Sequence, residues 1–203
     1  MGQATQRIRD TIHYLASQIS LGWNCFLVSK FIREAYERDK IKGVHTILKN
    51  AQLACWDSAI LAVAKVLDKH EGSISLNYLF NCIQAEPDSY PVADKTELSK
   101  QITDHRKELD NLHAILPSLW EQRDRVVAHL DKRLVNKPEN TFSQPAINMD
   151  QLHSVFGTLQ RILEVYDKQA QTMSLWIDES QPIWDDLEYL IGLINADKTD
   201  SAG

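Results

Sequence analysis

Residues that interrupt helices are scarce in this sequence. Only seven Gly and six Pro occur among 203 residues, and several long stretches contain neither. Chains of such composition favour helices over β-structures rich in turns. With 43% hydrophobic and 25% charged residues, the chain is long enough to bury a substantial core. The sequence therefore predicts an all-α protein, with a single helical domain over residues 1–203.

Cysteine is also rare, and its positions argue against the common metal sites. Cys25, Cys55 and Cys82 lie inside apolar segments, without the close Cys or His spacing of zinc ligands. No HExxH, CxxC or phosphate-binding glycine loop occurs. We therefore expect no metal and no organic cofactor, and we expect buried free thiols in a reducing compartment.

Long apolar runs and an excess of positive charge are absent as well. No stretch approaches the roughly 20 apolar residues of a membrane span, and the first residues lack the apolar region of a signal peptide. The expected compartment is therefore the cytoplasm, without a membrane partner. The formal net charge of −6 argues against broad coating of nucleic acid, but it leaves room for a small basic site.

Apolar periodicity predicts a series of helices. Gly43 marks a break before the strongest of them, and Ser75 suits the N-cap of a short one. The predicted ranges are 5–19 and 21–39 (joined near Gly22), 44–67, 76–84, from Asp94 or Thr96 to about 116, 149–173, and about 181–196. Residues 134–149, which contain Pro138 and Pro145, predict a long loop.

One further helix carries the candidate chemistry. Residues 121–133 contain no Pro or Gly, and Pro117 suits a first helical turn. Leu116, Trp120, Val127, Leu130 and Leu134 form one apolar stripe. Arg123 falls in the middle of that stripe, whereas His129 lies about 120° around the helix on the polar side. Because burying an unpaired Arg is costly, Arg123 needs a carboxylate, a ligand phosphate or a wet interface edge.

Asp57 offers one such carboxylate. It lies towards one side of the apolar face of the predicted helix 44–67, where an acid needs a cationic or hydrogen-bonding partner. A supporting Arg123–Asp57 pair is one hypothesis. The alternative is that Asp57 lies at the wet rim of its helix.

The spacing from Arg123 and Asp124 through four residues to His129 resembles a known signature. It is similar to the Arg-polar-x4-His motif of the HEPN superfamily, helical-bundle proteins that include many RNA-cleaving toxins. The sequence Ala-His-x-Asp that ends at Asp131 resembles the abortive-infection, AbiU-like branch. Residues 56–68, followed by the Ser-Leu start at 75–76, resemble the long and short helices of that branch. The resemblance covers about residues 40–175.

This resemblance implies a fold and an activity. The fold is an up-and-down HEPN-type helical bundle with a core at about 40–175 and additional N- and C-terminal helices. The activity is metal-independent cleavage of RNA by a toxin, in phage defence or in a toxin–antitoxin pair. Such toxins usually act as dimers, so Arg123 and His129 of two protomers of a homodimer would share one catalytic cleft. RNA is then the substrate, and a cognate antitoxin would be a protein partner.

The residue types suit that chemistry. A His can take the proton from the ribose 2′-hydroxyl, because its unperturbed pKa of about 6.5 lies near working pH. An Arg can bind the phosphate with two N–H groups and stabilise charge on its oxygens. Asp124 could orient either group, or simply be solvated. Arg125, Lys132 and Arg133 form a cationic patch that either holds the RNA backbone or is a solvated helix face.

A second interpretation stays open. The chain could be a non-catalytic helical module for dimerisation or partner binding, in which Arg123 forms a structural ion pair and His129 is a surface residue. A cleft lined by His129 of both chains would favour the enzyme. Burial of Arg123 in an ion pair with Asp57 would favour the non-catalytic module.

Overall fold

Every regular element in the described part of the chain is a helix. The computed structural model describes residues 2–43, 45–128, 147–172 and 181–200. Two short 3-10 helices, Pro87–Ser89 and Asn111–Ala114, precede α4 and α5. The seven α-helices of these ranges are α1 Gln3–Glu37, α2 Thr46–Leu67, α3 Leu76–Ala85, α4 Lys95–Asp110, α5 Leu116–Ala128, α6 Met149–Ala170 and α7 Gln181–Asp200. The all-α prediction is confirmed.

The N-terminal segment forms one helix where the sequence predicted two. α1 runs for 35 residues without interruption. Gly22, interpreted as a joint, instead lies where α1 approaches α2 and α6 closely. A Cβ at this position would lie 2.6 Å from the Cβ of Ala62 and 3.1 Å from the ring of Phe156. Gly22 therefore permits close packing between helices and does not break α1.

The main core lies between α1, α2, α3 and α6. α1 packs most extensively on α2 and also contacts α6 and α3. Three aromatic rings at the centre contact one another: the centroid of Trp23 is 5.2 Å from Phe26 and 5.6 Å from Phe156. α7 packs on the end of α1, where Ile191 and Trp184 meet Phe31. These contacts make α1 the central element of the described helices.

Side-chain caps fix the start of three helices. Ser75 Oγ accepts a hydrogen bond from the backbone N–H of Tyr78, as the sequence predicted. Asp94, one of the two predicted caps of α4, accepts from two backbone N–H groups. Asn148 forms a capping box with Gln151 at the start of α6, a signal that the sequence analysis missed. Each cap satisfies donors that the helix itself leaves unpaired.

A break between α4 and α5 sets the start of the helix with the candidate residues. α4 ends at Asp110, earlier than the predicted residue 116, and the 3-10 turn leads into α5. Pro117 is therefore the second residue of α5, where its missing N–H costs nothing. α5 packs chiefly on α2. Two other helices end at residues that differ from the prediction. α6 stops at Ala170 and not at 173, and α7 extends to Asp200 and not to about 196.

Some predictions fall on other parts of the chain. The predicted loop 134–149 lies almost wholly outside the described residues, and the single-domain prediction stays a prediction. Among the described helices, none combines the length and apolar character that a membrane crossing requires.

Candidate functional site

α5 is anchored to the core by its first turns, and this positions the residues that follow. Leu119 is fully buried, and Trp120 packs against the main core with part of its ring exposed. Arg123 follows Trp120 by three residues and therefore lies on the same face of the helix. The anchoring of α5 on α2 thus brings Arg123 to the border between core and solvent.

The guanidinium of Arg123 is held from two sides. Its central carbon lies 4.8 Å from the ring centroid of Trp120. Its Nε and Nη2 donate to Oδ1 of Asp124 at 2.9 and 2.7 Å. The Arg123 side chain is 35% exposed and that of Asp124 is 63% exposed. Arg123 is therefore at the edge of the apolar stripe and is not buried inside it. Its guanidinium lies over the ring of Trp120.

This arrangement leaves Arg123 able to bind an anion. Two of the five N–H donors of a guanidinium are used by Asp124. The described part of the chain supplies no acceptor for the other three. A partly exposed, oriented guanidinium whose remaining donors have no acceptor among the described residues can bind a phosphate group. The structure pairs Arg123 with a carboxylate, that of its neighbour Asp124, which is one of the three kinds of partner that the sequence left open.

The positive charge of Arg123 acts on the carboxylate of Asp68, at the end of α2. The Ser73 hydroxyl and the backbone N–H of His70 donate to the Asp68 carboxylate at 2.6 and 3.0 Å. These two bonds are the main causes that lower the pKa of Asp68, and the charges of His70 and Arg123 add smaller contributions. The turn after α2 therefore borders the candidate site.

Asp57 is half-buried on α2, the helix that α5 packs on. It already has an interaction partner. The described contacts of Arg123 are those with Trp120 and Asp124. The Arg123–Asp57 pair stays a prediction.

The other predicted site residues are Arg125, His129, Lys132 and Arg133. His129, Lys132 and Arg133 lie outside the described residues, and so does the side chain of Arg125. His129 directly follows Ala128, the last described residue of α5. The roles assigned to these four residues stay predictions. Within the described ranges, no three His, Cys, Asp or Glu side chains converge as ligands for a metal ion.

The sequence analysis missed the role of Trp120, which it treated only as a core residue. The signal was present as the spacing of three between Trp120 and Arg123 on one helix. That spacing lets a cation lie over an aromatic ring in the preceding turn. Trp120 thereby both anchors α5 and supports the guanidinium.

Comparison with known protein families gives a match over most of the chain. The family model HEPN_AbiU2, with the description AbiU2, matches residues 8–171 of the chain. No curated protein and no solved structure gives a significant match. The match begins at residue 8, in α1. The resemblance found in the sequence began only at about residue 40. The match ends just after α6 and leaves α7 outside.

Proposed function

The chain belongs to the AbiU2 family of HEPN proteins, and from that premise we propose that it is a metal-independent endoribonuclease. In this proposal it acts as a toxin, in phage defence or in a toxin–antitoxin pair. The observation that carries the proposal is the orientation and exposure of the Arg123 side chain. Its guanidinium is oriented by Trp120 and Asp124 and is one-third exposed, so it is available to a phosphate.

Arg123 would bind the scissile phosphate of the RNA. Charge builds up on the non-bridging oxygens when the phosphorus is attacked, and an oriented guanidinium stabilises that charge without rearranging. Asp124 would serve as the positioning residue, because its carboxylate fixes the plane of the guanidinium. Arg125, Lys132 and Arg133 would bind the phosphates on either side.

His129 would transfer the proton. As a base it would remove the proton of the ribose 2′-hydroxyl, whose oxygen then attacks the adjacent phosphorus. The bond to the 5′-oxygen breaks, and this oxygen takes up a proton. The products are a 2′,3′-cyclic phosphate end and a free 5′-hydroxyl. A His is suited to both proton transfers, because its ordinary pKa lies close to neutral pH.

Two protomers would complete the site. One α5 offers a single His, whereas the reaction needs a base on one side and an acid on the other. A two-fold axis near α5 would place two His129 and two Arg123 side chains around one cleft. We therefore propose a homodimer in the cytoplasm, with RNA as the substrate and a cognate antitoxin as the protein that restrains it.

The test is cleavage of total RNA by the purified protein in EDTA. We expect cleavage to persist in EDTA and to be lost in both Arg123→Ala and His129→Ala. Matched controls are Arg33→Ala and His13→Ala, because both residues are exposed on α1; these variants should cleave like the wild type. Mass spectrometry of the product ends decides the mechanism. A 5′-phosphate with a free 3′-hydroxyl would mean attack by water, and the mechanism would have to be abandoned.

The alternative is a non-catalytic module that binds a partner through an apolar surface. The observation in its favour is that Tyr189, Leu190 and Leu193 of α7 are exposed, since neighbouring exposed apolar residues often mark a protein contact. A wild-type protein that cleaves no RNA, but forms a stable complex disrupted by Leu190→Glu, would favour this alternative.

A further inference from the structure

A small cavity lies where α2, α3, α4 and α5 meet. Its volume is about 180 Å³, below the roughly 300–1,000 Å³ of pockets that enclose a drug-sized ligand. Leu67, Leu76 and Leu116 contribute to its apolar wall, and Lys69 and Arg106 bring positive charge to it. Because Asp110 adds a carboxylate to the same lining, such a cavity suits one flat ring system with hydrogen-bonding groups at its edge.

Arg106 has an unusual set of partners. Its Nη1 donates to Oδ1 of Asn77 at 2.6 Å, and its Nη2 donates to Asn81 and Gln84 at 2.7 and 3.2 Å. The guanidinium also lies over the ring of Phe80, with its carbon 5.5 Å from the centroid. All three acceptors are neutral amides, and no carboxylate of the described residues pairs with Arg106. Its plane is therefore fixed, and its positive charge is not directly paired with an acid within the described residues.

A fixed guanidinium of this kind is suited to an RNA base. One face lies on Phe80, and bases stack readily on guanidinium planes as well as on aromatic rings. Asn77, another residue of the cavity, accepts from Arg106 through its oxygen, so its NH₂ group can donate to a base edge. Asp110 can accept, because its only described partner is Lys69 Nζ at 3.5 Å. The cavity thus offers a stacking surface, a donor and an acceptor.

The cavity also lies beside the candidate catalytic site. Leu116 precedes Arg123 by seven residues on α5, a distance of about 10 Å along the helix axis. Lys69 follows Asp68, the residue whose carboxylate experiences the charge of Arg123. A base held in the cavity would therefore belong to a nucleotide close to the phosphate at Arg123.

We propose that this cavity binds one base of the RNA substrate and sets the sequence preference of cleavage. The inference rests on the proposed ribonuclease function, which it deepens by assigning a base-binding subsite. Arg106 stacks on the base, and Asn77 and Asp110 contact its edge. The volume admits a single base, so the preference concerns one position at a fixed distance from the cut.

The first test is binding of 5′-mononucleotides to the full chain. We expect one of AMP, GMP, CMP and UMP to shift the amide resonances of residues 76–80 and 106–110 in a saturable way. The shifts should be lost in Arg106→Gln and in Leu116→Phe, which adds bulk to the cavity wall and keeps the Arg106 residue. They should persist in Lys107→Gln, which removes one charge from the exposed neighbouring residue. The Leu116 variant keeps the test decisive if Arg106→Gln fails to fold.

The second test is sequencing of cleavage sites in total RNA. We expect the wild type to prefer one base at one position, and we expect Arg106→Gln and Leu116→Phe to weaken that preference by about tenfold. A cleaving wild type with no shifted cavity resonances, and with an unchanged preference in both variants, would overturn the subsite and leave the ribonuclease intact. A wild type that cleaves no RNA, yet shows the resonance shifts, would overturn the ribonuclease and support base binding.

Discussion

Trp120 and Arg123 contact each other across one turn of α5, with the guanidinium carbon 4.8 Å from the centre of the indole ring. The contact joins an anchor of the fold to the group proposed to bind phosphate. Trp120 packs on the main core, so its ring is a rigid support. Asp124 fixes the guanidinium from the other side. The orientation of Arg123 therefore depends on a residue that would otherwise be counted as core.

We predict that Trp120→Leu reduces RNA cleavage about fivefold, because a partly exposed cation–π contact contributes about 1 kcal/mol. The substitution keeps an apolar residue on the core but removes the surface under Arg123. The measurement is kcat/KM on a defined RNA, together with thermal unfolding. Trp184→Leu is the matched control, since Trp184 packs on Phe31 in the cluster with α7 and should affect stability alone. Equal loss of activity in both variants would count against the role of Trp120.

We predict that His129 acts from both protomers, so that one inactive subunit inactivates a dimer. A mixture refolded from equal amounts of wild type and His129→Ala should have about one quarter of the activity of the same total amount of wild type, because only a quarter of the dimers contain two intact subunits. Independent sites would instead keep about one half. The same mixture with His13→Ala should lose nothing. A monomer by light scattering at high micromolar concentration would rule out the shared cleft.

We predict a pH-dependent loss of stability that is due to His105. Its Nδ1 lies 2.8 Å from the hydroxyl of Tyr166. Burial is the main cause that lowers the pKa of His105 from its ordinary 6.5; the charge of Arg161 lowers it further, and Asp104 opposes the shift. Burial also raises the pKa of Tyr166, so the phenol stays neutral. The unfolded chain then binds more protons than the native one below pH 6.5, and acid favours unfolding.

The measurement is the melting temperature of the wild type and of His105→Gln between pH 7.5 and pH 5.0. Stability should fall as the pH drops through 6.5 towards the lower pKa of the folded state, and the fall should be smaller in His105→Gln. His13→Gln, at an exposed position of α1, should follow the wild type. Parallel curves for all three proteins would show that His105 is not responsible.

We predict that Gly22→Ala destabilises the protein by about 1–3 kcal/mol, although Ala favours helices over Gly by about 1 kcal/mol. The added Cβ would lie 2.6 Å from the Cβ of Ala62. Gly157→Ala in α6 is the control, because a Cβ there meets no atom within 4 Å and should stabilise the helix. Chemical denaturation gives both values. If Ala62→Gly does not relieve Gly22→Ala, the close approach is not the cause.

Local patterns predicted most helices, because caps and apolar stripes depend on residues near in sequence. Ser75 and Asp94 were identified in this way, since each caps its own helix. Gly22 was misinterpreted because its role depends on Ala62 and Phe156, which come from other helices. Propensity describes what a glycine permits in isolation and says nothing about what packs against it.

For the candidate site, the sequence predicted the residues of α5 but not the contacts that their side chains make. The motif spacing identified Arg123 and Asp124, and periodicity placed Arg123 among apolar residues. Periodicity could not show that the guanidinium lies over the Trp120 ring and stays partly exposed, because a helical projection gives the direction of a side chain and not its reach. The cavity at Arg106 was not predicted at all, since its walls come from four helices.

Arg106 is bound by the amides of Asn77, Asn81 and Gln84, and none of these groups titrates. Its charge and orientation are therefore constant over the whole range in which a histidine gains or loses a proton. In the proposed enzyme the rate of the chemical step would depend on pH, whereas the base preference would not. Acidification would slow the chemical step while the choice of cleavage position stayed the same, so the protein would act on the same RNAs in a stressed, acidified cell as in a healthy one.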